Sequence, residues 1–318
     1  MSEKPLLQGY YFSQNTYLKN LGDCIAEIVV DYLGYKLIRC GVNNNAINAG
    51  RCLMPIGSVL DNNSLNRFNC PIDIWGCGSK GNWIDPPNLA RLRVHAVRGP
   101  LTAKALKLPA DIPMGDPALL LPFISTSETA KHSKTLVIPH LHQTTQQNAS
   151  RRCRETGCDE MLMTQVYLDA IYPNSLKTIL RMTKDYVHLK RLPQALWEVI
   201  NTIAGASFVL TASLHGAIIA QAYGVPWAAY TDDYVDSPFK WYDWAAYLGV
   251  ELNFVRDLEQ GQQWWDAIGT EGRSRPLEPL IASFPYGILN EKAKVLAHTG
   301  LQSNQDSLSG IPMLNSTL

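Results

Sequence analysis

The stretch that decides the fold runs from Thr211 to Tyr230 and reads TASLHGAIIAQAYGVPWAAY. Its pattern predicts a strand, a tight turn at Leu214-His215-Gly216, a helix rich in small residues and a second strand, which make one right-handed β-α-β step. The turn places His215 where the first strand ends and the helix begins, and open α/β sheets bind ligands at that point. The residues alone give equal weight to two interpretations of His215, a ligand-facing group and a histidine that only caps the turn.

Outward from this stretch, short apolar runs alternate with helical patterns over most of the chain. Strands are predicted at Gln8–Phe12, Lys36–Cys40, Ile72–Trp75, Leu92–Val97, Lys134–Ile138, Ser207–Thr211 and Pro226–Tyr230. Helices are predicted at Gly22–Leu33, Leu101–Leu106, Pro193–Ala204 and His215–Tyr223, and a loop at His142–Ser150. Strands that alternate with helices favour parallel sheets with helical crossovers, so the predicted class is α/β.

The length of 318 residues suits two domains of roughly 130–150 residues each. The polar segment ISTSETAKHS, residues 124–133, is weakly patterned and separates the two. We therefore predict an N-terminal domain of residues 1–125 and a C-terminal domain of residues 133–300. The tail, residues 302–318, is rich in Ser and Asn and is predicted to be disordered.

Charge and cysteine content limit the possible partners. Lys and Arg number 28, as do Asp and Glu, so no global field draws the chain to nucleic acid and any anion site must be local. The seven cysteines are odd in number and show no C-x-x-C spacing, which favours reduced, buried thiols over disulfides or zinc. The first residues lack the apolar core of a signal peptide, and no apolar run has the length of a membrane span. The expected location is therefore the cytoplasm.

Two motifs in the first half place polar groups beside predicted strand ends. Arg98 ends a predicted strand just before a helix, where its guanidinium can hold a carboxylate or phosphate in a bidentate grip. The alternative is a surface arginine paired with a nearby acid. Gly22 and Asp23 begin another helix, where Gly22 permits close backbone approach and Asp23 either caps the helix or binds sugar hydroxyls.

Three further segments invite a cofactor or metal interpretation. The run Gly76–Gly81 fits G-x-G-x-x-G, but Pro86 and Pro87 prevent a helix from following directly, so we interpret it as a tight turn that contacts a phosphate rather than a dinucleotide site. His140 and His142 lie two apart, yet no nearby carboxylate completes a metal site, and one of them is expected to face the crevice. The cluster Asp232, Asp233 and Asp236 is interpreted as a solvated loop. No metal is predicted.

Taken together, these segments resemble the polysaccharide pyruvyl transferase family, in the bacterial branch that decorates exopolysaccharides. The matching pieces are NLGD (20–23), WGCGS (75–79), VRGPLT (97–102), GDPALLLP (115–122), IPH (138–140), SLHGAIIAQAYGVPW (213–227) and FKWYDW (239–244). They follow the family's order and extend over residues 18 to 250, and the sixth and seventh are the most specific.

The resemblance implies two Rossmann-like domains with parallel sheets that face each other across a cleft, similar to GT-B glycosyltransferases. It implies a transferase that moves the pyruvyl group of phosphoenolpyruvate onto a sugar of a surface polysaccharide or its lipid-linked precursor, forms a cyclic ketal and releases phosphate. Phosphoenolpyruvate is then a substrate, and no cofactor is needed. The glycan acceptor would be met in the cytoplasm or at the inner membrane surface. The sequence gives no prediction of oligomeric state.

The resemblance also assigns residues to roles. His215 and Asp23 become the candidate catalytic acid and base, and Arg98 the candidate donor clamp. Some relatives carry Arg immediately before Leu-His-Gly, where this chain has Ser213, so Lys240 or Lys104 is expected to supply the second cation. The remaining expected substrate-binding residues share positions at these motifs: Asn20, Gly22, Gly78, Ser79, His140, Ser213, Leu214 and Gly216.

Two other functions remain open at this point. A GT-B glycosyltransferase that uses a nucleotide sugar shares the two-domain architecture, but the acidic pair expected near its nucleotide site is not found in the sequence. A catalytically silent carbohydrate-binding relative is the second alternative. The basic and imidazole groups at predicted strand ends count against it.

Overall fold

The computed structural model describes residues 3–12, 21–39, 50–125, 131–140, 148–164, 192–268 and 275–299. Over these residues the strands form two five-stranded sheets in which every pairing is parallel. The strands are β1 (Leu6–Gly9), β2 (Lys36–Arg39), β3 (Cys52–Met54), β4 (Ile72–Cys77), β5 (Leu92–Val97), β6 (Thr135–Ile138), β7 (Glu160–Met161), β8 (Phe208–Thr211), β9 (Trp227–Tyr230) and β10 (Phe254–Val255). The predicted α/β class with parallel sheets is therefore confirmed.

Helices connect the strands and cover the sheets. In the first half they are α1 (Leu21–Tyr32), α2 (Asn62–Leu65), α3 (Pro86–Leu89), α4 (Pro100–Ala105), a 3-10 helix (Pro117–Leu120) and α5 (Leu121–Ile124). In the second half they are α6 (Ala149–Thr156), α7 (Leu192–Gly205), α8 (Leu214–Ala222), α9 (Pro238–Leu248), α10 (Leu258–Ile268), α11 (Glu278–Ala282) and α12 (Glu291–Thr299).

Both sheets have the same strand order. The first is β2-β1-β3-β4-β5 and the second, read from its other edge, is β7-β6-β8-β9-β10. In each sheet the strand order reverses beside the first strand of that half. The reversal lies between β1 and β3 in the first sheet and between β6 and β8 in the second. Connections leave in opposite directions at such a reversal, which opens a crevice at the carboxyl ends of the strands. Each half therefore offers one crevice for a ligand.

The predicted elements agree with the structure within one or two residues, with three corrections. The first strand is Leu6–Gly9 rather than Gln8–Phe12, because pairing with β2 ends at Gly9 and Arg39. The predicted loop at His142–Ser150 gives way to helix α6 at Ala149, and residues 141–147 lie outside the described residues. The two prolines after the glycine turn begin the one-turn helix α3 at its first positions, where a missing N–H costs nothing.

The two halves share buried apolar packing. One hydrophobic cluster joins Trp75 and Leu119 of the first half to Ile218 and Trp244 of the second. At the polar part of this contact, the buried Asp243 of α9 accepts hydrogen bonds from Thr102 of α4, at 2.9 Å from the backbone nitrogen and 2.7 Å from the hydroxyl. Asp243 therefore caps a helix of the other half.

The last described segment of the chain packs on the first sheet, through Leu280 and Tyr286. The indole nitrogen of Trp75 donates to the carbonyl of Leu280 at 2.7 Å, and the hydroxyl of Tyr286 donates to buried Asp73 at 2.9 Å. The sequence did not indicate this return. The predicted division between residues 125 and 133 stays a prediction. No helix among the described residues is long and apolar enough to cross a membrane.

Candidate functional site

A pocket of about 410 Å³ opens at the carboxyl ends of strands from both sheets. Its walls come from segments that follow β1, β3, β4 and β5 in the first sheet and β6, β7, β8 and β9 in the second, and these include the strands that flank both reversals of order. The lining residues are Tyr10, Phe12, Asp23, Gly57, Ser58, Val59, Asp61, Asn63, Ser64, Arg67, Lys80, Arg98, His140, Thr164, Ala212, Ser213, Leu214, His215, Asp236 and Lys240. The two crevices thus contribute to one site.

Arg98 brings a buried cation to this pocket directly after β5. Its side chain is 0% exposed and lies so close to Gly78 that a Cβ there would be 2.1 Å from Nη2. The nearest carboxylate oxygen, Oδ2 of Asp243, is 3.8 Å from Nε. Among the described residues none accepts a hydrogen bond from any of the three guanidinium nitrogens. A buried guanidinium with an unsatisfied fork matches the geometry of a carboxylate or phosphate ligand.

Lys240 and Lys80 add positive charge beside Arg98. Burial lowers the pKa of Lys240, and the nearby cations Arg98 and Lys80 lower it further, although Asp236 opposes them. The Lys240 ammonium lies 2.6 Å from the Asp236 carboxylate. His140, together with Lys240 and Lys80, holds the pKa of Asp236 well below its usual range. Three cations therefore lie near two carboxylates, those of Asp236 and Asp243.

His215 stands in the first turn of α8 with a side chain that is 11% exposed. One edge of its ring lies against α1, since a Cβ at Gly22 would be 1.9 Å from Nδ1. The other nitrogen, Nε2, is 3.6 Å from Oδ2 of Asp116, which is 0% exposed. The imidazole is therefore held between a glycine of the first half and a buried carboxylate of the same half.

The turn before α8 is fixed by Thr211. Its hydroxyl accepts a hydrogen bond from the Ser213 nitrogen at 3.0 Å and donates to the Ser213 carbonyl at 2.9 Å. Position 216 requires glycine, because a Cβ there would lie 2.6 Å from the Thr211 hydroxyl oxygen. Ser213 and Leu214 line the pocket, so the first turn of this nine-residue helix points its N–H groups and positive dipole end toward the ligand.

Asp23 reaches the pocket from the first turn of α1. It is buried, and one carboxylate oxygen lies 3.3 Å from the place where a Cβ of Gly57 would be. Tyr10 and Phe12, which follow β1, form apolar wall beside it. This part of the pocket combines a carboxylate with aromatic rings, and the Arg67 guanidinium lies over the Tyr10 ring at 6.0 Å from its centroid.

The structure brings seven of the sequence-predicted site residues to the pocket wall: Asp23, Arg98, His140, Ser213, Leu214, His215 and Lys240. Gly22, Gly78, Ser79 and Gly216 lie behind that wall. The first two make room for His215 and Arg98, and Ser79 accepts a hydrogen bond from the Gly81 nitrogen at 2.9 Å within the glycine turn. Asn20 and His142 are outside the described residues. Lys104 is exposed on α4 and does not line the pocket, unlike Lys240.

Sequence reasoning missed six charged groups at or beside the site, of which Asp61 and Arg67 line the pocket outside the recognised motifs. Lys80 lies inside the glycine turn, Asp116 in GDPALLLP and Asp243 in FKWYDW, so all three were present in motifs that were recognised for other reasons. The interpretation of Asp236 as part of a solvated loop is wrong, because it pairs with Lys240 four residues later and lines the pocket. That i, i+4 spacing was a readable signal.

Comparisons with known proteins agree with this picture. A family model described as polysaccharide pyruvyl transferase matches residues 71–234, just over half of the chain. The succinoglycan biosynthesis protein ExoV of Rhizobium meliloti (strain 1021) is 27% identical over 199 residues, which cover 62% of this chain and 54% of that protein. The chain thus spans about half the length of this curated relative.

One solved structure covers most of the chain. It is the crystal structure of a functionally uncharacterised protein from Klebsiella pneumoniae, with a TM-score of 0.43 and 13% identity over 79% of this chain and 92% of that one. The sequence motifs and the extent of the family match decide the assignment. The chain belongs to the polysaccharide pyruvyl transferase family.

Proposed function

We propose that this chain transfers the pyruvyl group of phosphoenolpyruvate onto a sugar of a bacterial surface polysaccharide. The observation that carries the proposal is Arg98, a fully buried guanidinium whose three nitrogens make no hydrogen bond within the described residues, in the wall of a pocket shared with Lys80 and Lys240. Phosphoenolpyruvate is a small trianion with a phosphate and a carboxylate. A planar guanidinium and two ammonium groups complement these two anionic groups.

The chemistry follows from the donor, which is an enol phosphate. A general acid protonates its methylene carbon, and the neighbouring carbon becomes an oxocarbenium-like electrophile. One sugar hydroxyl attacks that carbon, the C–O bond to phosphate breaks, and a second hydroxyl closes the cyclic ketal. The two hydroxyl protons balance the proton added to the methylene and the one carried away by phosphate. This sequence requires an acid, an anion clamp and a base.

We assign these roles by position. His215 supplies the acid, Arg98 with Lys240 and Lys80 clamps the donor, and Asp23 accepts the proton of the attacking hydroxyl. Asp23 lines the pocket together with Tyr10 and Phe12. We place the acceptor sugar beside Asp23 and the aromatic rings, and the phosphate beside the three cations.

The proposal extends to the arrangement of the two halves. They act as two Rossmann-like domains of GT-B type, whose facing crevices close on the donor and exclude water. Excluding water protects the oxocarbenium-like species, because that species otherwise reacts with water. Lining residues from both sheets support this arrangement.

The acceptor is a glycan of an exopolysaccharide or its lipid-linked precursor at the cytoplasmic membrane surface. The name of the R. meliloti relative, a succinoglycan biosynthesis protein, supports a polysaccharide acceptor. Offering one oligosaccharide both free and joined to a polyprenyl diphosphate distinguishes the two acceptor forms. Faster phosphate release with the lipid-linked form supports the membrane location, and equal rates count against it.

Thermal unfolding in the presence of separate ligands tests the function. A ligand that binds only the folded protein raises Tm by mass action. We expect phosphoenolpyruvate to raise Tm and uridine-diphosphate and guanosine-diphosphate sugars to leave it unchanged. A shift with a nucleotide sugar alone indicates a glycosyltransferase. No shift with either ligand indicates a silent carbohydrate-binding relative, and both outcomes reject the proposal.

Gly22→Ala is expected to impair turnover while the fold is kept. The new Cβ would lie 1.9 Å from His215 Nδ1, so the imidazole must move, whereas alanine is well tolerated in a helix. We expect kcat for phosphate release to fall by about 10-fold or more, as for a misplaced catalytic group. Gly50→Ala is the matched control, because a Cβ at Gly50 meets nothing within 4 Å. Equal kcat for the two variants contradicts the assigned position of His215.

The affinity for the donor is expected to depend on pH through the ionisation of Lys240. Its ammonium form binds the anion, and its pKa is lowered by burial, so affinity is expected to fall with rising pH before an ordinary lysine would titrate. A phosphate monoester is already fully ionised above about pH 7, so the donor itself does not change charge there. Calorimetric Kd values for phosphoenolpyruvate from neutral to alkaline pH test this.

Two variants complete the pH experiment. Lys240→Met is expected to bind more weakly at neutral pH and to lose the alkaline fall in affinity. Lys104→Met removes an exposed lysine outside the pocket and is expected to behave as the wild type. An unchanged alkaline fall in Lys240→Met would place the titrating group elsewhere.

A further inference from the structure

We infer that Asp116 is a positioning residue that fixes the tautomer of His215, an inference that rests on the proposed function for its catalytic consequence. Asp116 lies in the loop before the 3-10 helix, far from His215 in sequence, and is 0% exposed. Its Oδ2 is 3.6 Å from Nε2 of His215. Among the described residues neither of these two buried atoms has a hydrogen-bond partner.

The other oxygen of Asp116 explains why the carboxylate is held still. Oδ1 accepts a hydrogen bond from the Ala118 nitrogen at 3.0 Å and caps the 3-10 helix Pro117–Leu120. That helix packs on α8, the helix that carries His215. The carboxylate and the imidazole therefore sit on two elements in direct contact, and a shift of a few tenths of an ångström makes the hydrogen bond. Catalytic hydrogen bonds are often this long before substrate binds.

The contact with Asp116 decides which ring nitrogen of His215 faces the substrate. Asp116 is an acceptor when ionised, so Nε2 of His215 must carry a hydrogen to face it. Nε2 is buried against Asp116, whereas Nδ1 lies beside Gly22, which has no side chain to cover it, so Nδ1 is the ring nitrogen left to exchange a proton. The neutral ring then presents a lone pair at Nδ1, and the protonated ring presents an Nδ1–H that is stabilised by the carboxylate behind it. This is the state that a general acid for the donor's methylene carbon requires.

Asp116→Asn tests the inference with little disturbance. The amide oxygen retains the hydrogen bond from Ala118, while the amide nitrogen replaces Oδ2 and donates toward Nε2. This selects the opposite tautomer and disfavours the protonated ring. A wrong tautomer of this kind costs about 10⁴-fold in a serine-protease triad. We expect kcat for phosphate release to fall by about 10²–10⁴-fold while KM for phosphoenolpyruvate changes little.

A spectroscopic readout separates positioning from structure. Long-range ¹H–¹⁵N correlation spectra of the neutral protein report the tautomer of each histidine, and His215→Gln identifies the His215 signals among the seven histidines. We expect the Nε2–H tautomer in the wild type and the Nδ1–H tautomer in Asp116→Asn. Asp257→Asn alters an exposed cap, where Asp257 Oδ1 accepts from the Gln260 nitrogen, and is the control expected to change neither kcat nor the spectrum.

The outcomes distinguish this inference from the proposed function. An unchanged His215 tautomer in Asp116→Asn overturns the inference, as does wild-type kcat in that variant. A wild-type protein that releases no phosphate from phosphoenolpyruvate rejects the proposed function, yet the tautomer comparison still tests the contact between Asp116 and His215. Loss of kcat together with the tautomer change supports both.

Discussion

His215→Ala is expected to fold normally and to lose pyruvyl transfer by about 10²–10⁴-fold, the usual contribution of a general acid or base. The side chain is 11% exposed and packs between Gly22 and Asp116, and its removal leaves the turn intact because Thr211 fixes that turn through Ser213. The proposed donor clamp lies elsewhere, on Arg98 and the lysines. Binding of phosphoenolpyruvate should therefore largely survive while kcat collapses.

Three measurements on one preparation check this expectation. Circular dichroism and Tm report the fold, calorimetry reports donor binding, and phosphate release reports turnover. His298→Ala, on the exposed end of α12, is the matched control and should retain wild-type turnover. Near-normal turnover in a folded His215→Ala protein would remove the histidine from the mechanism.

Arg98→Lys is expected to weaken donor binding by about 1–3 kcal/mol, the range for hydrogen bonds to charged groups. The substitution keeps the charge but replaces the planar guanidinium, which can donate two parallel hydrogen bonds, by a single ammonium group on a shorter side chain. Gly78 leaves room for a flat guanidinium beside its Cα, so the pocket is shaped for the arginine rather than for any cation. Arg98→Met, which also removes the charge, should abolish the rise of Tm caused by phosphoenolpyruvate.

The design must account for the Asp243 carboxylate, which lies 3.8 Å from Arg98 and would remain when the cation is removed. The double variant Arg98→Met, Asp243→Asn removes both charges and keeps an oxygen for the hydrogen bond from the Thr102 backbone nitrogen. We expect it to lack the donor-induced shift as well. Arg93→Lys, on the exposed part of the same strand, is the control for arginine replacement. Unchanged Kd in Arg98→Met would place the clamp on other residues.

The placement of Arg98 and His215 at the carboxyl ends of their respective sheets was predictable because it follows from backbone topology. Parallel strands send their carboxyl ends to one edge of a sheet, so residues just after β5 and β8 must lie at ligand-binding edges. The strand Leu92–Val97, LRVHAV, was predicted with its observed bounds, since its apolar residues alternate with polar ones and it stops just before Gly99-Pro100. Local sequence carries this information directly.

The supporting acids could not be predicted because their partners are distant in sequence. Asp116 faces a histidine 99 positions later, and Asp243 caps a helix that begins 143 positions earlier (215 − 116 and 243 − 100). Nothing in the local pattern around either aspartate indicates these contacts. Gly22 was noted for close backbone approach, but only the structure identifies His215 as the group that approaches it.

The account predicts that a glycan acceptor becomes covalently pyruvylated at the expense of phosphoenolpyruvate. The direct measurement is mass spectrometry of a panel of synthetic galactosides, glucosides and mannosides with free hydroxyl pairs, and of lipid-linked oligosaccharides, incubated with the protein and phosphoenolpyruvate. We expect one acceptor class to gain the mass of pyruvate less one water, with one phosphate released per ketal and none from His215→Ala. Phosphate release without a modified acceptor, or transfer of a sugar from a nucleotide sugar in place of pyruvyl transfer, would contradict it.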